Sequence, residues 1–196
     1  TEARDLVSSR PQTTLTRGGL EAERQANEII SQYSGWAKAL MRVVEERKLY
    51  AVIAGKKYLE FEAWQLIGTF DKALADTSDV TPLERDGEIV GYKCQAKIFK
   101  DGIRIGGGTQ MCGLDAFPCQ GKTGSAKDNA AISAAQTWAA SKAFKMLYSS
   151  VAVLAGYGAA TAEEMRRAQE EAPDKTAHYC QEHEATWFKR GKMRNY

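Results

Sequence analysis

Two Asp-Gly dipeptides, each between runs of β-prone residues, constrain the fold of this chain more than any other feature. The first, at residues 86–87, separates residues 80–84 from residues 88–99. The second, at residues 101–102, separates that middle run from residues 103–110. Asp-Gly favours the two-residue turns with positive φ that join antiparallel strands. The sequence therefore predicts a three-stranded antiparallel meander.

Alternate residues of the middle strand are expected to face opposite sides of this sheet. The set that packs inward comprises Val90, Tyr92, Cys94, Ala96 and Ile98. Lys93 and Lys97 belong to the other set. One face of the sheet is therefore predicted to be basic.

Apolar residues at three- and four-residue steps predict three helices around the meander. The first covers residues 20–48, and a shorter second one covers residues 62–74. The third covers residues 126–149, and its predicted buried face is formed by Ile132, Ala135, Ala139, Ala143 and Met146. The predicted fold class is α+β, with the helix and the antiparallel meander packed on the long third helix.

The glycines at residues 106–108 and the glycine-rich segment 112–129 predict a long irregular connection before the third helix. Gly121-Lys122-Thr123 looks like the end of a phosphate-binding loop, but position 116, where that motif needs glycine, is alanine. The sequence shows no nucleophile-and-base pair, carboxylate dyad or dinucleotide fingerprint. We therefore expect a protein that is not an enzyme and has no cofactor.

Length and composition are those of an ordinary folded domain, with 196 residues, 43% of them hydrophobic and 27% charged. We predict a flexible N-terminal arm at residues 1–19, a core at 20–160, and a linker with a basic tail at 161–196. No run is apolar enough to span a bilayer, and the first residues lack a signal-peptide pattern. A cytoplasmic location is expected by default.

The net charge of +2 comes from 27 basic and 25 acidic side chains and does not by itself indicate a nucleic-acid partner. The charges are unevenly distributed along the chain. Residues 92–110 and 187–196 are mainly basic, whereas residues 71–88 hold six acidic and two basic side chains. We therefore expect separate basic and acidic surfaces.

The outward side of the third helix is the main candidate for a binding surface. At 100° per residue, an arc of roughly 100° contains Trp138, Ser141, Lys142 and Lys145. A tryptophan among lysines suits single-stranded nucleic acid, because the ring can stack on any base while the lysines neutralise phosphates. The alternative is a solvated lysine face in which Trp138 is a packing residue.

The four cysteines are irregularly spaced and no secretory pattern accompanies them, so reduced thiols are expected rather than disulfides. Cys180 and His183 form a C-x-x-H pair, which is half of a tetrahedral zinc site. The alternative is a solvated turn with incidental histidines.

Two longer runs resemble the single-strand annealing superfamily of the eukaryotic recombination mediator (Rad-fifty-two type) and its phage and bacterial relatives. They are GKKYLEFEAW at residues 55–64 and AAQTWAASKAFK at residues 134–145, and the similarity spans residues 20–158. In that family a helix, a meander and a long helix form the core, and subunits join into rings or helical filaments. Single-stranded DNA lies in a positive groove around the outside.

The resemblance implies ATP-independent annealing of complementary strands in phage-type homologous recombination and repair, in the cytoplasm or nucleoid of a bacterial host. The implied partners are single-stranded DNA, further copies of the chain, and a phage exonuclease or a host single-strand binding protein. A ring-forming scaffold protein without annealing activity stays open as an alternative. A metal-dependent nuclease would rest only on Cys180, His183 and scattered carboxylates.

Within the superfamily, residues 135–143 are similar to the A-x-T-R-A-x-S-x-A pattern in the long helix of a group of phage-borne proteins. Trp138 stands in place of the arginine, so its contact with DNA would be stacking. The resemblance implies that Lys142 and Lys145 contact the DNA backbone, and Ser141 stands where a further lysine can occur. Second-line candidates for DNA contact are Lys56, Lys57, Lys93 and Lys97.

These relatives often end in a zinc-binding tail with C-x-x-H, then W-F-K-x-G-K-M-R and a further pair of ligands. This chain has Cys180 and His183, followed by WFKRGKMR at residues 187–194, and then stops at Tyr196. The resemblance therefore implies no stable metal in this chain and a zinc site only in a longer form of it.

Overall fold

The computed structural model describes residues 17–171 and the short strands Tyr179–Cys180 and Ala185–Thr186. The helices are α1 (Arg17–Arg47), α2 (Phe61–Phe70), α3 (Gly124–Leu154) and α4 (Ala162–Glu171). The strands are β1 (Tyr50–Ile53), β2 (Lys56–Leu59), β3 (Ala73–Asp76), β4 (Val80–Arg85), β5 (Glu88–Lys100), β6 (Ile103–Gly113), β7 (Gly158–Thr161), β8 (Tyr179–Cys180) and β9 (Ala185–Thr186). Helices and largely antiparallel sheets are thus mixed, which agrees with the predicted α+β class.

The predicted meander is present as β4, β5 and β6, with antiparallel pairing throughout. Both Asp-Gly turns have positive φ at both residues, with values of 54° and 82° at residues 86–87 and of 50° and 75° at residues 101–102. This backbone matches the twist of the flanking strands. β3 pairs with the far end of β5, on the same edge as β4, so β5 is the central strand.

A second, smaller sheet was not predicted. β1 and β2 form a hairpin around Ala54 and Gly55, which have φ values of 49° and 76°, and β7 joins β2 in parallel. Alanine rarely adopts a positive φ, so the turn carries none of the usual Asn-Gly or Asp-Gly signal.

The predicted second helix was wrong at its C-terminal end. α2 ends at Phe70, and Lys72 has a φ of 56°, which a continuing helix does not allow. Leu74 instead lies in β3, opposite Phe99, and is 71% exposed. The apolar spacing of this segment therefore continued past the point where the backbone changes from helix to strand.

Residues 106–108 were assigned both to the third strand and to an irregular connection. The strand assignment is confirmed, because all three glycines lie inside β6 and pair with residues 96–98 of β5. A Cβ atom on Gly108 would lie 2.9 Å from the backbone nitrogen of Ala143. The absence of a side chain thus lets α3 approach the sheet closely. The connection that follows covers residues 114–123, which is less than the predicted 112–129, and contains a 3-10 turn, Phe117–Cys119.

α3 is the central helix and is covered on several sides. β5 and β6 pack on it, Phe144 contacts Gly68 of α2, and α4 supplies contacts from a third direction. The small residues Ala135, Ala139 and Ala143 are buried as predicted, but Met146 is 66% exposed. No helix in the described part of the chain is both long and apolar enough to cross a membrane.

Three cysteines are buried free thiols, as predicted: Cys94, Cys112 and Cys119. Burial, followed by the neighbouring Cys119, raises the pKa of the Cys112 thiol to about 12. The thiol is therefore neutral and acts as a small packing group in the core.

The expected separation into basic and acidic surfaces is reduced by strand pairing. Lys97 on β5 pairs with Asp79 at 3.0 Å, and Lys100 pairs with Asp71 at 2.6 Å. Asp71 also accepts a hydrogen bond from the hydroxyl of Tyr148 at 3.0 Å. Because the acid-rich segment forms β3 and β4 beside β5, its carboxylates lie next to the meander's lysines.

Packed structure continues beyond residue 160, where the sequence predicted a linker. Ala162 is fully buried, and a carboxylate oxygen of Glu163 accepts a hydrogen bond from the backbone N–H of Phe61 at 3.1 Å. Arg166 donates to Glu60 at 3.0 Å. α4 is therefore held against the start of α2 by side-chain contacts.

Candidate nucleic-acid interface

Trp138, the predicted stacking residue, is already in contact with a cation of the same chain. The guanidinium carbon of Arg167 on α4 lies 4.6 Å from the centre of the indole ring. Trp138 is partly buried and packs against the core. Because a cation–π contact occupies a ring face, a base that stacked there would have to displace or share Arg167.

Lys145, a predicted phosphate contact, is paired within the chain. Its Nζ lies 2.7 Å from both carboxylate oxygens of Glu164, and the two side chains are only 23% and 22% exposed. Glu164 is itself held in a capping box, since its N–H donates to the Thr161 hydroxyl and its carboxylate accepts from the Thr161 N–H. The charge of Lys145 is thus neutralised by a rigidly held partner.

The other two residues of the predicted α3 face differ from each other. Ser141 is 1% exposed, and its hydroxyl has no hydrogen-bond partner among the described residues. The expectation that it lies on an open face was therefore wrong. Lys142 is partly buried and takes part in none of the ion pairs formed by the described residues.

Lys57 belongs to a network that joins α1 to the small sheet. Its Nζ lies 2.6 Å from Glu45 and 4.4 Å from the centre of the Tyr50 ring, and the hydroxyl of Tyr157 donates to the same carboxylate. The hydrogen bond between Lys57 and Glu45 raises the pKa of the lysine and lowers that of the carboxyl. Lys57 is therefore engaged in holding the fold together.

The remaining second-line lysines differ in whether they form an ion pair within the chain. Lys97 is paired with Asp79, as described above, whereas Lys56 and Lys93 are exposed and outside the ion pairs of the described residues. Lys56 follows the β1–β2 turn, and Lys93 lies on the sheet face opposite to α3. Together with Lys142, they leave three predicted lysines available on three separate elements.

A cleft beside Trp138 contains residues that the sequence did not single out. It has a volume of about 920 Å³ and lies between the end of β6, the 3-10 turn and α4. Its lining includes Met111, Phe117, Gln120, Trp138, Arg166 and Arg167. Phe117 is 68% exposed, which is unusual for phenylalanine. Its only sequence signal was an aromatic residue before a proline in a segment predicted as a loop.

The predicted metal half-site falls mostly outside the described residues. Cys180 is the last residue of β8 and lies opposite Ala185 of β9, whereas His183 is not among the described residues. Within the part of the chain that the structure describes, no three Cys, His, Asp or Glu side chains come together as a metal site. The pairing of Cys180 with His183 stays a prediction.

Comparison with protein-family models, with curated proteins and with solved structures finds no match to this chain. The likeness to the single-strand annealing superfamily therefore rests on the two sequence runs at residues 55–64 and 134–145 themselves.

Proposed function

We propose that this protein binds single-stranded DNA and promotes ATP-independent annealing of complementary strands. The observation that carries the proposal is that the two runs behind the resemblance pack into one core. Residues 55–64 form β2 and the start of α2, and residues 134–145 form the centre of α3. Trp64 of the first run and Phe144 of the second are buried in the same cluster. Such joint packing is what similarity of fold requires of two distant segments.

Annealing requires that the phosphate charges of the strands are neutralised and that their bases are exposed. It requires no covalent chemistry. Lysines that contact phosphates release counterions and reduce the repulsion between two backbones. Lys56, Lys93 and Lys142 are the predicted lysines with no internal carboxylate partner among the described residues. Stacking of some bases on aromatic or guanidinium planes holds the strand extended, so that a second strand can pair with the bases between them.

Self-assembly is part of the proposal, because α1 extends beyond the core. Residues 20–32 of α1 are exposed, including Leu20, Ile29 and Ile30, which are each more than half exposed. A helical segment of this length is marginal in water without packing. β6 also pairs with no described strand except β5, which leaves one sheet edge open. A second copy of the chain would cover both features in a ring or filament.

The same apolar residues of α1 favour a second candidate function, a scaffold protein that assembles without annealing. Both candidates predict an oligomer under sedimentation. Only the annealing protein accelerates pairing of complementary strands, which separates the two.

The proposal is tested by mixing two complementary oligonucleotides with donor and acceptor dyes. We expect the protein to accelerate their pairing without ATP and to leave non-complementary strands apart. The variant Lys56→Ala, Lys93→Ala, Lys142→Ala should flatten the log-log salt dependence of binding by about 2, at about 0.7 per phosphate contact. The matched control removes three exposed cations elsewhere, Lys38→Ala, Arg42→Ala, Arg85→Ala, and should leave the slope unchanged. Unaccelerated pairing would exclude the annealing function.

Separate changes of the two α3 lysines should have different effects. Lys142→Ala should flatten the salt slope by about 0.7, since it loses one available charge. Lys145→Ala should leave the slope unchanged and lower the free energy of unfolding by about 1 kcal/mol, because it breaks the pair with Glu164. Oligonucleotide titrations at several salt concentrations, with a urea titration of each variant, measure both quantities. A flattened slope in Lys145→Ala with unchanged stability would show that Glu164 gives up its partner to DNA.

A further inference from the structure

The cleft beside Trp138 is lined by two planar groups, an aromatic ring and a guanidinium. Phe117, at the start of the 3-10 turn, presents a ring that is 68% exposed, and Met111, which also lines the cleft, is 56% exposed. Arg167 presents a guanidinium that already lies against the Trp138 ring. The volume of about 920 Å³ lies within the range of about 300–1,000 Å³ that is usual for small-molecule sites.

The charged groups of the cleft nearly cancel. Arg166 is paired with Glu60, and Arg167 is accompanied in the cleft lining by Asp115 and Glu163. A site built for phosphate would carry an excess of positive charge. A balanced set of donors and acceptors suits a neutral ligand that carries both on one edge, as nucleobases do.

Some polar atoms of this lining have no partner among the described residues. They are the second carboxylate oxygen of Glu163 and the Nε of Arg167, both of which are buried. Both atoms are enclosed by protein and have almost no exposed surface, so they are not available to a ligand, and the donors and acceptors for a base must come from groups that face the cleft. The exposed amide of Gln120 is such a group, with two N–H donors and one acceptor oxygen.

Lys122 supplies a cation at the rim. Its Nζ donates to the carbonyl oxygen of Pro118 at 2.7 Å, and Pro118 lines the cleft. The side chain is exposed and lies outside the ion pairs of the described residues. A phosphate at the mouth of the cleft would therefore meet a positive charge, while a base inside would meet balanced polar groups.

We propose that the cleft accepts one unstacked nucleobase of the bound strand, with Phe117 and Arg167 as its stacking groups and Lys122 at the flanking phosphate. This inference rests on the single-strand binding proposed above and names the site of one base within it. The base in the cleft is withheld from pairing, so annealing begins on the bases beside it. The aromatic contact is sequence-tolerant, because every base has a π-face.

Phe117→Ala tests the site without disturbing the core, since the ring is mostly exposed. We expect this variant to bind a thymidine oligonucleotide about tenfold more weakly, with an unchanged salt slope. The matched control, Leu74→Ala, removes a similarly exposed apolar side chain from β3 and should bind normally. An oligonucleotide with 5-iodouracil should photocrosslink in the wild-type protein to the peptide that contains Phe117.

An oligonucleotide with abasic sites in its interior separates the two proposals. It should bind the wild-type protein and Phe117→Ala equally, because the oligonucleotide offers no base at these sites for Phe117 to stack on. If Phe117→Ala binds the thymidine oligonucleotide as tightly as the wild type, or the crosslink maps elsewhere, the base site is overturned and strand binding stands. If the wild-type protein binds no single strand, both proposals are overturned.

Discussion

Trp64→Ala is expected to lower the free energy of unfolding by about 3–5 kcal/mol, the usual cost of removing a buried large aromatic side chain. Trp64 is fully buried in the main core, where it belongs to α2. Its indole N–H donates to the carbonyl oxygen of Leu59 at 3.2 Å, which joins α2 to β2. The substitution removes both the packing and this hydrogen bond.

Equilibrium denaturation in urea measures this loss, and two neighbouring variants serve as controls. Trp64→Phe retains most of the apolar volume but not the indole N–H, so we expect a cost of about 1–3 kcal/mol. Gln65→Ala changes the next residue, which is exposed, and should stay within about 0.5 kcal/mol of the wild type. A Trp64→Ala protein as stable as Gln65→Ala would mean that α2 does not pack as described.

Gly108→Val should lower the free energy of unfolding by about 3 kcal/mol, the upper part of the usual range for overpacking a core. A Cβ atom at this position would lie 2.9 Å from the nitrogen of Ala143 and 3.0 Å from the carbonyl oxygen of Ala139. Both atoms belong to the α3 backbone, which cannot rotate away as a side chain can. The helix or the strand would have to shift.

The same glycine-to-alanine change at two sites gives the sharpest comparison, measured by thermal melting. Gly108→Ala should be destabilising because its methyl group meets the backbone of α3. Gly35→Ala lies in α1 with nothing within 4 Å, and it should stabilise the protein by about 0.5–1 kcal/mol through helix propensity. Shifts of the melting temperature in the same direction would contradict the close approach of α3 to β6.

The meander was determined by local sequence. Both of its turns are set by Asp-Gly, and the three strands begin at the predicted residues 80, 88 and 103. Turn chemistry and alternation act between residues that are neighbours along the chain, so they can be read without knowledge of the rest of the fold. The hairpin at Ala54 and Gly55 was missed because its turn lacks Asn-Gly or Asp-Gly, the local signal from which the meander was predicted.

The structural role of the three glycines at residues 106–108 was decided by tertiary packing. Because glycine usually marks a loop, the sequence left residues 106–108 between the third strand and an irregular connection, whereas in the fold they form the part of β6 on which α3 lies. Their effect is visible only once the partner helix is in place, since glycine in a strand can mark a close backbone approach as well as a break.

For the candidate interface, the sequence by itself determined which residues share a side of α3, and the tertiary structure decided which are available. Trp138, Lys142 and Lys145 do lie together on that side. α4, which sequence analysis placed in a linker, then supplies Glu164 to Lys145 and Arg167 to Trp138. Helix periodicity is a local property, whereas the pairing of a charge depends on segments that arrive from elsewhere in the chain. Only the folded chain therefore distinguishes Lys142 from Lys145.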